Sequence, residues 1–283
     1  MIIWLASYPK SGNTWVRSFI TTLLYSVDGQ NDFSNLSNIR QFPDREFFKN
    51  YVDDFKNIQE IAKNWSVVQS YLNLDGKIKF FKTHHVNCTI ENNPFTDLDN
   101  TIGVIHIVRD PRNVVTSIKN HYSLEDISVS KEKLFNENNW IGLGKNKDDI
   151  KSNQIPTLIS SWKTHYASWK NKSKNYLLIK YEDLIQNPLQ EFKKIAQYAS
   201  KLIEIKFSEE KIEKSIETNS FTELKKLENK GLFTENAFDR NINKKVNFFN
   251  LGPENNWKKI LEKEISSEIE SKFKNEMVEL GYL

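Results

Sequence analysis

The residues from Ser7 to Trp15 (SYPKSGNTW) have the types and the order expected of an anion-binding turn. Pro9 imposes a turn directly after a short apolar run, and Gly12 allows close approach of the backbone. Ser11 or Asn13 could cap a following helix, whose first amides and dipole attract an anion. The positions that could surround such an anion are Lys10, Ser11, Gly12, Asn13, Thr14 and Trp15.

This turn differs from the loop that binds nucleoside triphosphates. In that loop, G-x-x-x-x-G-K-[ST], the lysine follows the second glycine and the next hydroxyl holds Mg²⁺. Here Lys10 precedes Gly12, and the sequence contains neither G-K-S nor G-K-T. A metal-dependent triphosphate site is therefore poorly supported. The segment either binds a phosphate group or forms an ordinary strand–turn–helix corner.

A second junction of this kind lies in VIHIVRDPRNVVTSIKNHY, residues 104–122. The apolar run ends at Arg109, which places this side chain at the carboxyl end of a predicted strand, where ligands of α/β proteins bind. Asp110 is a suitable N-cap, Pro111 a suitable first helical residue, and Ser117 follows two turns later. Either Arg109 and Ser117 contact an anionic ligand, or Arg109 pairs with Asp110 and Ser117 is ordinary helix surface.

A lysine and two histidines lie at the end of another apolar run, FFKTHH over 80–85. Transfer of a group to a hydroxyl needs a base, and histidine titrates near neutral pH. A lysine ammonium can stabilise negative charge that develops on a leaving oxygen. Lys82, His84 and His85 are therefore candidates for these roles, although a lone histidine is more often structural.

Four short apolar runs predict the strands that must position these residues. The runs span 2–6, 77–82, 101–108 and 175–181. Helical patterns follow most of them, at 14–26, 112–121 and 187–200. Strands that alternate with helices predict a three-layer α/β/α fold, in which a mainly parallel sheet is covered on both faces. Ligands of such folds bind beyond the carboxyl ends of the strands.

Two excursions interrupt this alternation within a single expected domain, 1–283. Residues 30–75 include a predicted helix over 44–65. The aromatic residues of the stretch 40–75 either line an apolar acceptor pocket or form the buried face of a helix. These aromatic residues are Phe42, Phe47, Phe48, Tyr51, Phe55, Trp65 and Tyr71. The polar stretch 123–155 is predicted to be a lid or binding loop because loops of this length are rarely passive connectors. A closing amphipathic helix is predicted over 262–280.

Composition excludes several classes of function. The 283 residues carry 40 Lys+Arg and 37 Asp+Glu, a formal net charge of +3, which argues against a surface that coats nucleic acid. Cys88 is the single cysteine, so an intrachain disulfide and a Cys-based metal cluster are excluded. The sequence has no signal-peptide pattern and no apolar run of membrane-spanning length. We therefore expect a cytoplasmic protein with neither membrane nor nucleic-acid partners.

The first two motifs together resemble those of the sulfotransferases that use 3'-phosphoadenosine 5'-phosphosulfate (PAPS) as donor. That family's first motif is close to Y-P-K-S-G-x-T-W, which Tyr8 to Trp15 match. Its second motif is an arginine at a strand end with a serine eight residues later, which Arg109 and Ser117 match. The resemblance covers most of the chain and implies a P-loop-like α/β fold. It further implies that the first motif holds the 5'-phosphosulfate and the second the 3'-phosphate.

The resemblance also implies roles for the remaining candidates. The family's lysine–threonine–histidine signature matches Lys82, Thr83 and His84, so His84 is the expected base. His85 is the alternative base, although strand alternation directs it to the opposite side. The residues expected near the adenine are Trp15, Tyr181 and Phe221. Taken singly, the tryptophan and the phenylalanine could equally be core residues.

The family's C-terminal phosphate loop, similar to R-K-G-x-x-G-D-W-K, is altered in this chain. Residues 250–259 read NLGPENNWKK, in which Gly252 is retained and is expected to contact the donor. The positions that depart are Asn250, Leu251, Asn255 and Asn256. The loop is expected to bind the 3'-phosphate weakly, through backbone amides, unless a nearby cation compensates. The nearby cations are Arg240, Lys244 and Lys245.

The resulting prediction is a PAPS-dependent sulfotransferase that modifies a small-molecule acceptor, which could be a phenol, alcohol, sugar or amine. His84 would take the acceptor proton, and Lys10 and Lys82 would stabilise the leaving oxygen, with 3',5'-ADP as product. No metal is expected to be required. The competing predictions are a P-loop nucleotide or small-molecule kinase and a non-catalytic nucleotide-binding protein. The chain could be a monomer or a homodimer.

Overall fold

The fold is described from a computed structural model, which covers residues 1–143, 155–235, 237–239 and 244–283. The chain forms two compact units, each assembled from segments that are distant in sequence. The first unit comprises Met1–Tyr8, Ile39–Ile107 and Asn136–Leu178. The second comprises Pro9–Asn38, Val108–Phe135 and Ile179–Leu283. The expectation of a single domain over 1–283 stays a prediction.

The strands are numbered in chain order. They are β1 (Ile2–Ser7), β2 (Lys79–Thr83), β3 (Thr89–Ile90), β4 (Asn93–Pro94), β5 (Thr101–Val108), β6 (Trp140–Ile141), β7 (Thr157–Leu158), β8 (Tyr176–Lys180), β9 (Ala237–Asp239) and β10 (Lys244–Val246).

The helices are numbered in the same way. They are α1 (Asn13–Tyr25), α2 (Arg45–Phe48), α3 (Ile58–Lys63), α4 (Trp65–Leu72), α5 (Pro111–His121), α6 (Ile127–Phe135), α7 (Trp162–Trp169), α8 (Tyr181–Gln186), α9 (Pro188–Ile203), α10 (Glu209–Thr218), α11 (Phe221–Asn229), α12 (Trp257–Ile260), α13 (Lys263–Lys272) and α14 (Lys274–Leu280).

The four predicted strands form one sheet in the order β2–β1–β5–β8. Strand β1 pairs in parallel with both β2 and β5, and its residues are all buried, as expected of the uninterrupted apolar run IIWLA. Leu5 pairs with Lys82, so the carboxyl ends of β1 and β2 lie side by side. The predicted α/β fold with a parallel sheet is confirmed.

Trp4 is the centre of the aromatic core of the first unit. Its ring contacts those of Phe42, Phe81, Phe95 and Trp169 at centroid distances between 5.5 and 6.2 Å. Its indole nitrogen donates to the Thr101 hydroxyl over 2.9 Å. A tryptophan can be buried in this way because the one polar atom of its ring has a partner.

Most aromatic residues of the 30–75 excursion belong to this core. Phe42, Phe48 and Trp65 are fully buried in it. The partly buried rings of Phe47, Tyr51 and Phe55 pack against the same cluster, whereas Tyr71 is exposed. Of the two alternatives for these residues, packing is the one observed.

The single helix predicted over 44–65 is interrupted, because α2 ends at Phe48 and α3 begins at Ile58. The intervening residues include Asp53 and Asp54, whose amides donate to the carboxylate of Glu60. Asn57 then caps α3 by accepting from the Glu60 amide. Asp and Asn side chains commonly compete with helical hydrogen bonds in this way, which periodicity alone did not reveal.

Two further predicted segments also differ from the observed structure. The stretch 123–155 contains helix α6 and strand β6, while its residues 144–154 lie outside the described part of the chain. The closing helix predicted over 262–280 is two helices, α13 and α14, separated at Phe273. Among the described residues, none of the helices combines the length and the apolar character needed to cross a membrane.

The burial of Trp4 leads to a stability prediction. Trp4→Ala is expected to lower the free energy of unfolding by about 3–5 kcal/mol, because it leaves a cavity among four aromatic rings. Trp4→Phe retains most of the ring and is expected to lose less. Urea unfolding followed by circular dichroism measures both changes.

The matched control is Tyr71→Ala in the same unit, because the Tyr71 side chain is 59% exposed. This change is expected to alter stability by no more than about 0.5 kcal/mol. Equal losses for Trp4→Ala and Tyr71→Ala would contradict the central position of Trp4.

Candidate functional site

The turn from β1 into α1 depends on two residues with positive φ. Lys10 has φ 67° and Gly12 has φ 99°, a left-handed conformation that glycine adopts most readily. A Cβ atom built on Gly12 would lie 2.6 Å from Cδ2 of Tyr181. Gly12 is therefore required for two reasons: its backbone angle and its direct contact with the tyrosine ring.

The start of helix α1 differs from the predicted cap. Gly12 occupies the N-cap position, and neither Ser11 nor Asn13 provides a side-chain cap. The Gly12 carbonyl accepts from the amides of Trp15 and Val16, at 3.0 and 3.2 Å. A helix start without a side-chain cap leaves its positive dipole end available to an anionic ligand. The predicted cap is therefore wrong, and anion binding by the turn stays a prediction.

Ser11 adds a buried polar atom to this turn. Its side chain is fully buried, and within the described residues its hydroxyl has no hydrogen-bond partner. A buried hydroxyl without a partner is costly, so a polar ligand that bonded to it would remove the penalty. The phosphate and sulfuryl oxygens of PAPS are suitable acceptors.

Arg109 projects from the end of β5 into the same turn. Its Nη1 atom donates to the Lys10 carbonyl over 2.9 Å, and its guanidinium lies 4.1 Å from the centroid of the Tyr181 ring. Its Nε atom is buried and, among the described residues, has no partner. Arg109 thus stabilises the backbone of the turn while retaining a donor that can bind an oxyanion.

Asp110 does not pair with Arg109, which decides one of the alternatives left open by the sequence. Its carboxylate caps α5 by accepting from the Arg112 amide, and it binds the Arg112 guanidinium at 2.7 Å. The predicted N-cap at Asp110 and first helical residue at Pro111 are both confirmed. The carboxylate of Glu182 accepts from the Asp110 amide, and burial raises the pKa of the Glu182 carboxyl.

The ammonium of Lys10 lies over an aromatic ring that the sequence did not single out. Its Nζ atom is 3.9 Å from the centroid of the Phe248 ring. The amides of Phe248 and Phe249 donate to the buried carboxylate of Glu228, over 2.7 and 2.9 Å. The Glu228 carboxylate therefore positions the ring that holds the Lys10 side chain. The feature of the sequence that could have indicated an aromatic contact here is the pair of adjacent phenylalanines at 248 and 249, just before Gly252.

The residues predicted to lie near the adenine have different environments. Trp15 is buried, donates from its indole nitrogen to the Asn219 carbonyl over 2.6 Å, and packs edge-on against Tyr181 and Phe192. Burial also raises the pKa of Tyr181. Trp15 therefore has the contacts of a core residue, and adenine contact by these rings stays a prediction.

Phe221 contacts the altered loop directly. A Cβ atom on Gly252, which has φ 51°, would lie only 2.2 Å from Cζ of Phe221. Glycine is thus the one residue type at position 252 that lets the backbone lie against the Phe221 ring. The structure brings together two of the predicted donor-binding residues, Phe221 and Gly252.

Two of the three asparagines at which this loop departs from the family pattern have structural roles. Asn255 accepts from the Thr116 hydroxyl over 2.8 Å and donates to the Asn113 carbonyl over 2.9 Å. Asn256 caps helix α12 by accepting from the Lys258 amide. The loop is therefore anchored to α5 through Asn113 and Thr116, although it lacks the family's second glycine and aspartate.

The three cations named as substitutes for the missing basic pair contribute no observed contact. Arg240 lies outside the described part of the chain, as do the side chains of Lys244 and Lys245. Their compensation of the phosphate loop stays a prediction.

His84 has the geometry of a base in the first unit. Its Nδ1 atom lies 2.8 Å from the Ser7 carbonyl oxygen and 3.3 Å from the Ser7 hydroxyl. A carbonyl oxygen can only accept, so Nδ1 carries the proton and Nε2 carries the lone pair of the neutral ring. The backbone of β1 thus selects the tautomer that accepts a proton at Nε2.

Strand alternation separates the two candidate bases. Lys82 and His84 are both partly exposed, whereas Thr83 and His85 are buried. The His85 ring stacks on Phe95 at 4.5 Å, and burial lowers its pKa to about 4. His85 therefore has the environment of a core residue. The Lys82 backbone is held by hydrogen bonds with Arg40 and Phe42, at 2.9 and 2.8 Å.

Residues 2–281 match the family of the sulfotransferase domain. The chain belongs to this sulfotransferase family. Within each unit, the family motifs occupy the carboxyl ends of the strands and the turns that follow them. Within the described ranges, no group of three or more His, Cys, Asp or Glu side chains could hold a metal ion.

Curated relatives of this sulfotransferase are distant. The luciferin sulfotransferase of Photinus pyralis is 23% identical over 78% of this chain and 56% of its own length. Sulfotransferase 1 family member D1 of Mus musculus is 25% identical over 79% of this chain and 65% of its own length. The chain thus spans between half and two thirds of the length of these relatives.

Solved structures show the same fold. A mouse sulfotransferase complexed with PAP matches 98% of this sulfotransferase and 84% of its own chain, with a TM-score of 0.59 and 21% identity. Retinol dehydratase in complex with retinol and PAP matches 98% and 81%, with a TM-score of 0.57 and 17% identity. The predicted P-loop-like α/β fold is that of the sulfotransferases.

Gly12→Ala tests the contact with Tyr181. The added methyl group cannot fit beside the tyrosine ring, and alanine at positive φ costs about 1 kcal/mol in addition. We expect a clear fall in the unfolding midpoint in urea.

The matched control is Gly231→Ala, because Gly231 has φ 77° and a Cβ atom there would have no heavy atom within 4 Å. This variant meets the backbone cost alone and should be the less destabilised of the two. Equal destabilisation would show that the contact with Tyr181 is unimportant.

Three buried histidines predict a pH dependence of stability. Burial lowers the pKa of His85 to about 4 and of His106 to about 3, and it lowers the pKa of His165 well below 6.5. Below pH 6.5 the unfolded chain binds protons that the folded chain does not. Stability is therefore expected to fall as pH decreases from 6.5 to 5, by about 1 kcal/mol per pH unit for each histidine.

Urea unfolding at a series of pH values measures this slope. The Glu182 carboxyl has the opposite effect on stability, because its raised pKa makes the folded chain bind a proton more readily than the unfolded chain. His106→Leu removes one of the three histidines and should give a shallower slope. A stability that is constant between pH 6.5 and 5 would contradict the burial of these rings.

Proposed function

We propose that this sulfotransferase transfers the sulfuryl group of PAPS to a hydroxyl or amine of a small-molecule acceptor. The observation that carries the proposal is the turn at residues 10–12. It combines a buried hydroxyl that has no partner within the described ranges, a cation and a helix start without a side-chain cap. The likeness to a mouse sulfotransferase and to a retinol dehydratase, both solved with PAP (3',5'-ADP), supports the same donor class.

The donor's phosphosulfate suits the charges at this turn. Lys10 supplies a cation, Ser11 supplies a hydroxyl, and helix α1 supplies its positive dipole end. In this proposal Arg109 and Ser117, the second motif, contact the 3'-phosphate of the donor. The lysine precedes Gly12 instead of following it, which suits a group on a single 5'-phosphate better than a triphosphate with its magnesium. We therefore favour PAPS over ATP as the donor.

His84 acts as the base in this proposal. The acceptor oxygen forms a bond to sulfur, while the bond from sulfur to the bridging oxygen of the 5'-phosphate breaks. Nε2 of His84 receives the acceptor proton, because Nδ1 already donates to Ser7. The bridging oxygen leaves with the electron pair of the broken bond as part of 3',5'-ADP. The sulfated product contains the new oxygen–sulfur bond.

Two lysines stabilise the charge that develops on the leaving oxygen. Lys10 leaves the Phe248 ring to contact the bridging oxygen, and Lys82 assists from the same side of its strand as His84. An ammonium on a flexible stem can follow charge as it moves from the sulfuryl group to the leaving group.

The acceptor is proposed only by class. Relatives of this chain are named for luciferin or have been solved with retinol or androsterone. These names favour a small organic molecule with a hydroxyl group, within the predicted set of phenols, alcohols, sugars and amines. A cytoplasmic location and a monomeric or homodimeric state also stay predictions.

His84→Ala tests the mechanism. With labelled PAPS and a panel of phenols, alcohols, sugars and amines, turnover is expected to fall by about 10²–10⁴-fold, because the acceptor loses its base. The affinity for 3',5'-ADP should be unchanged and serves as the control. Unchanged turnover would remove His84 from the mechanism.

The same assay separates the competing functions. Transfer of phosphate from ATP in the presence of Mg²⁺ would favour a kinase. Retained binding of 3',5'-ADP without sulfated product from any acceptor class would favour a non-catalytic nucleotide-binding protein.

A further inference from the structure

Helix α11 presents a ring and a cation to the altered loop at 250–252. Phe221, the first residue of the helix, lies directly against Gly252. Lys225 follows one turn later, so it lies on the same face of α11. Its Nζ atom donates to the Asn250 carbonyl oxygen over 3.2 Å. Lys225 is thus a cation in direct contact with a loop that has no basic residue at 250 or 251.

The loop itself cannot supply this charge. Asn250 and Leu251 are neutral, and Asn255 uses its side chain to anchor the loop to Asn113 and Thr116. A phosphate monoester such as the 3'-phosphate of PAPS carries about −1.5 to −2 charge at neutral pH. Arg109 of the second motif is already expected to contact this phosphate, and the charge that the family's loop adds at 250 and 251 must come from another element in this chain.

Lys225 differs from the neighbouring lysine on the same helix. Lys226 is 60% exposed and pairs with Glu223 at 2.6 Å, within α11 itself. Lys225 is partly buried, and its ammonium donates to a neutral carbonyl. A carbonyl is a weaker partner for an ammonium than a phosphate is, so Lys225 could exchange this contact at little cost.

We propose that Lys225 binds the 3'-phosphate of the donor and so replaces the basic pair that this chain lacks at 250 and 251. The proposal rests on PAPS as the donor. Lys225 in this role determines specificity: it distinguishes a nucleotide with a 3'-phosphate from the same nucleotide without one.

The test compares the binding of two nucleotides by calorimetry, 3',5'-ADP and 5'-AMP, which lacks the 3'-phosphate. Lys225→Met keeps the length and apolar stem of the side chain but removes its charge. It is expected to weaken the binding of 3',5'-ADP by about tenfold or more, as for the loss of one charged hydrogen bond. The affinity for 5'-AMP should stay unchanged, and Lys225→Arg should retain most of the preference for 3',5'-ADP.

Lys226→Met is the matched control and should alter neither affinity. A second comparison is the triple variant Arg240→Ala, Lys244→Ala, Lys245→Ala, which tests the alternative cations. Loss of the preference for 3',5'-ADP in this variant but not in Lys225→Met would overturn the proposal. Equal weakening of both nucleotides by Lys225→Met would also overturn it, because that result indicates a structural role.

The measurements distinguish a wrong assignment of the donor from a wrong assignment of Lys225. If the wild-type chain binds neither 3',5'-ADP nor PAPS, the proposed function and this inference both fall. If the wild-type chain binds 3',5'-ADP and Lys225→Met keeps the full preference over 5'-AMP, only the inference about Lys225 falls.

Discussion

The contact between the Gly12 backbone and the Tyr181 ring is the constraint on which the turn from β1 into α1 depends. It allows the chain to turn sharply after β1, begin α1 at Asn13 and expose an uncapped helix start. Arg109 stacks on the same ring and donates to the Lys10 carbonyl. The Tyr181 ring therefore contacts the turn directly at Gly12 and also supports the arginine that binds its backbone at Lys10. A larger residue at 12 would displace the ring, and with it the arginine.

The acid–base chemistry proposed for His84 depends on a different kind of constraint, a backbone carbonyl. Because the Ser7 carbonyl can only accept, it holds the proton of His84 on Nδ1 and leaves the lone pair on Nε2. The neighbouring His85 has the same side chain but stacks on Phe95 in the core, where burial keeps its ring neutral. Two adjacent histidines thus have different chemistry because a strand directs them to opposite sides.

Polar residues of the altered loop illustrate how a phosphate-binding element can keep its position while losing its charges. Asn255 donates to the Asn113 carbonyl, and the Asn113 side chain accepts from the Trp257 amide, so the loop is held on α5. Gly252 still lies against Phe221. Position and charge are separate requirements of an anion site. In this chain the loop provides the position, and the proposed Lys225 contact provides the charge.

The sequence alone determined the parallel sheet, the turn at 8–15 and the cap at Asp110, because these follow from local patterns of apolar, turn and capping residues. The preference for His84 over His85 came from the family's lysine–threonine–histidine signature and stays a prediction. Only the tertiary structure decided that Arg109 does not pair with Asp110, that Trp15 is packed as a core residue and that Lys225 contacts the loop at Asn250. It also decided that residues 44–65 are not one helix, because Glu60 binds the amides of Asp53 and Asp54. These outcomes depend on side chains that are distant in sequence or compete with helical hydrogen bonds, and neither property can be deduced from periodicity.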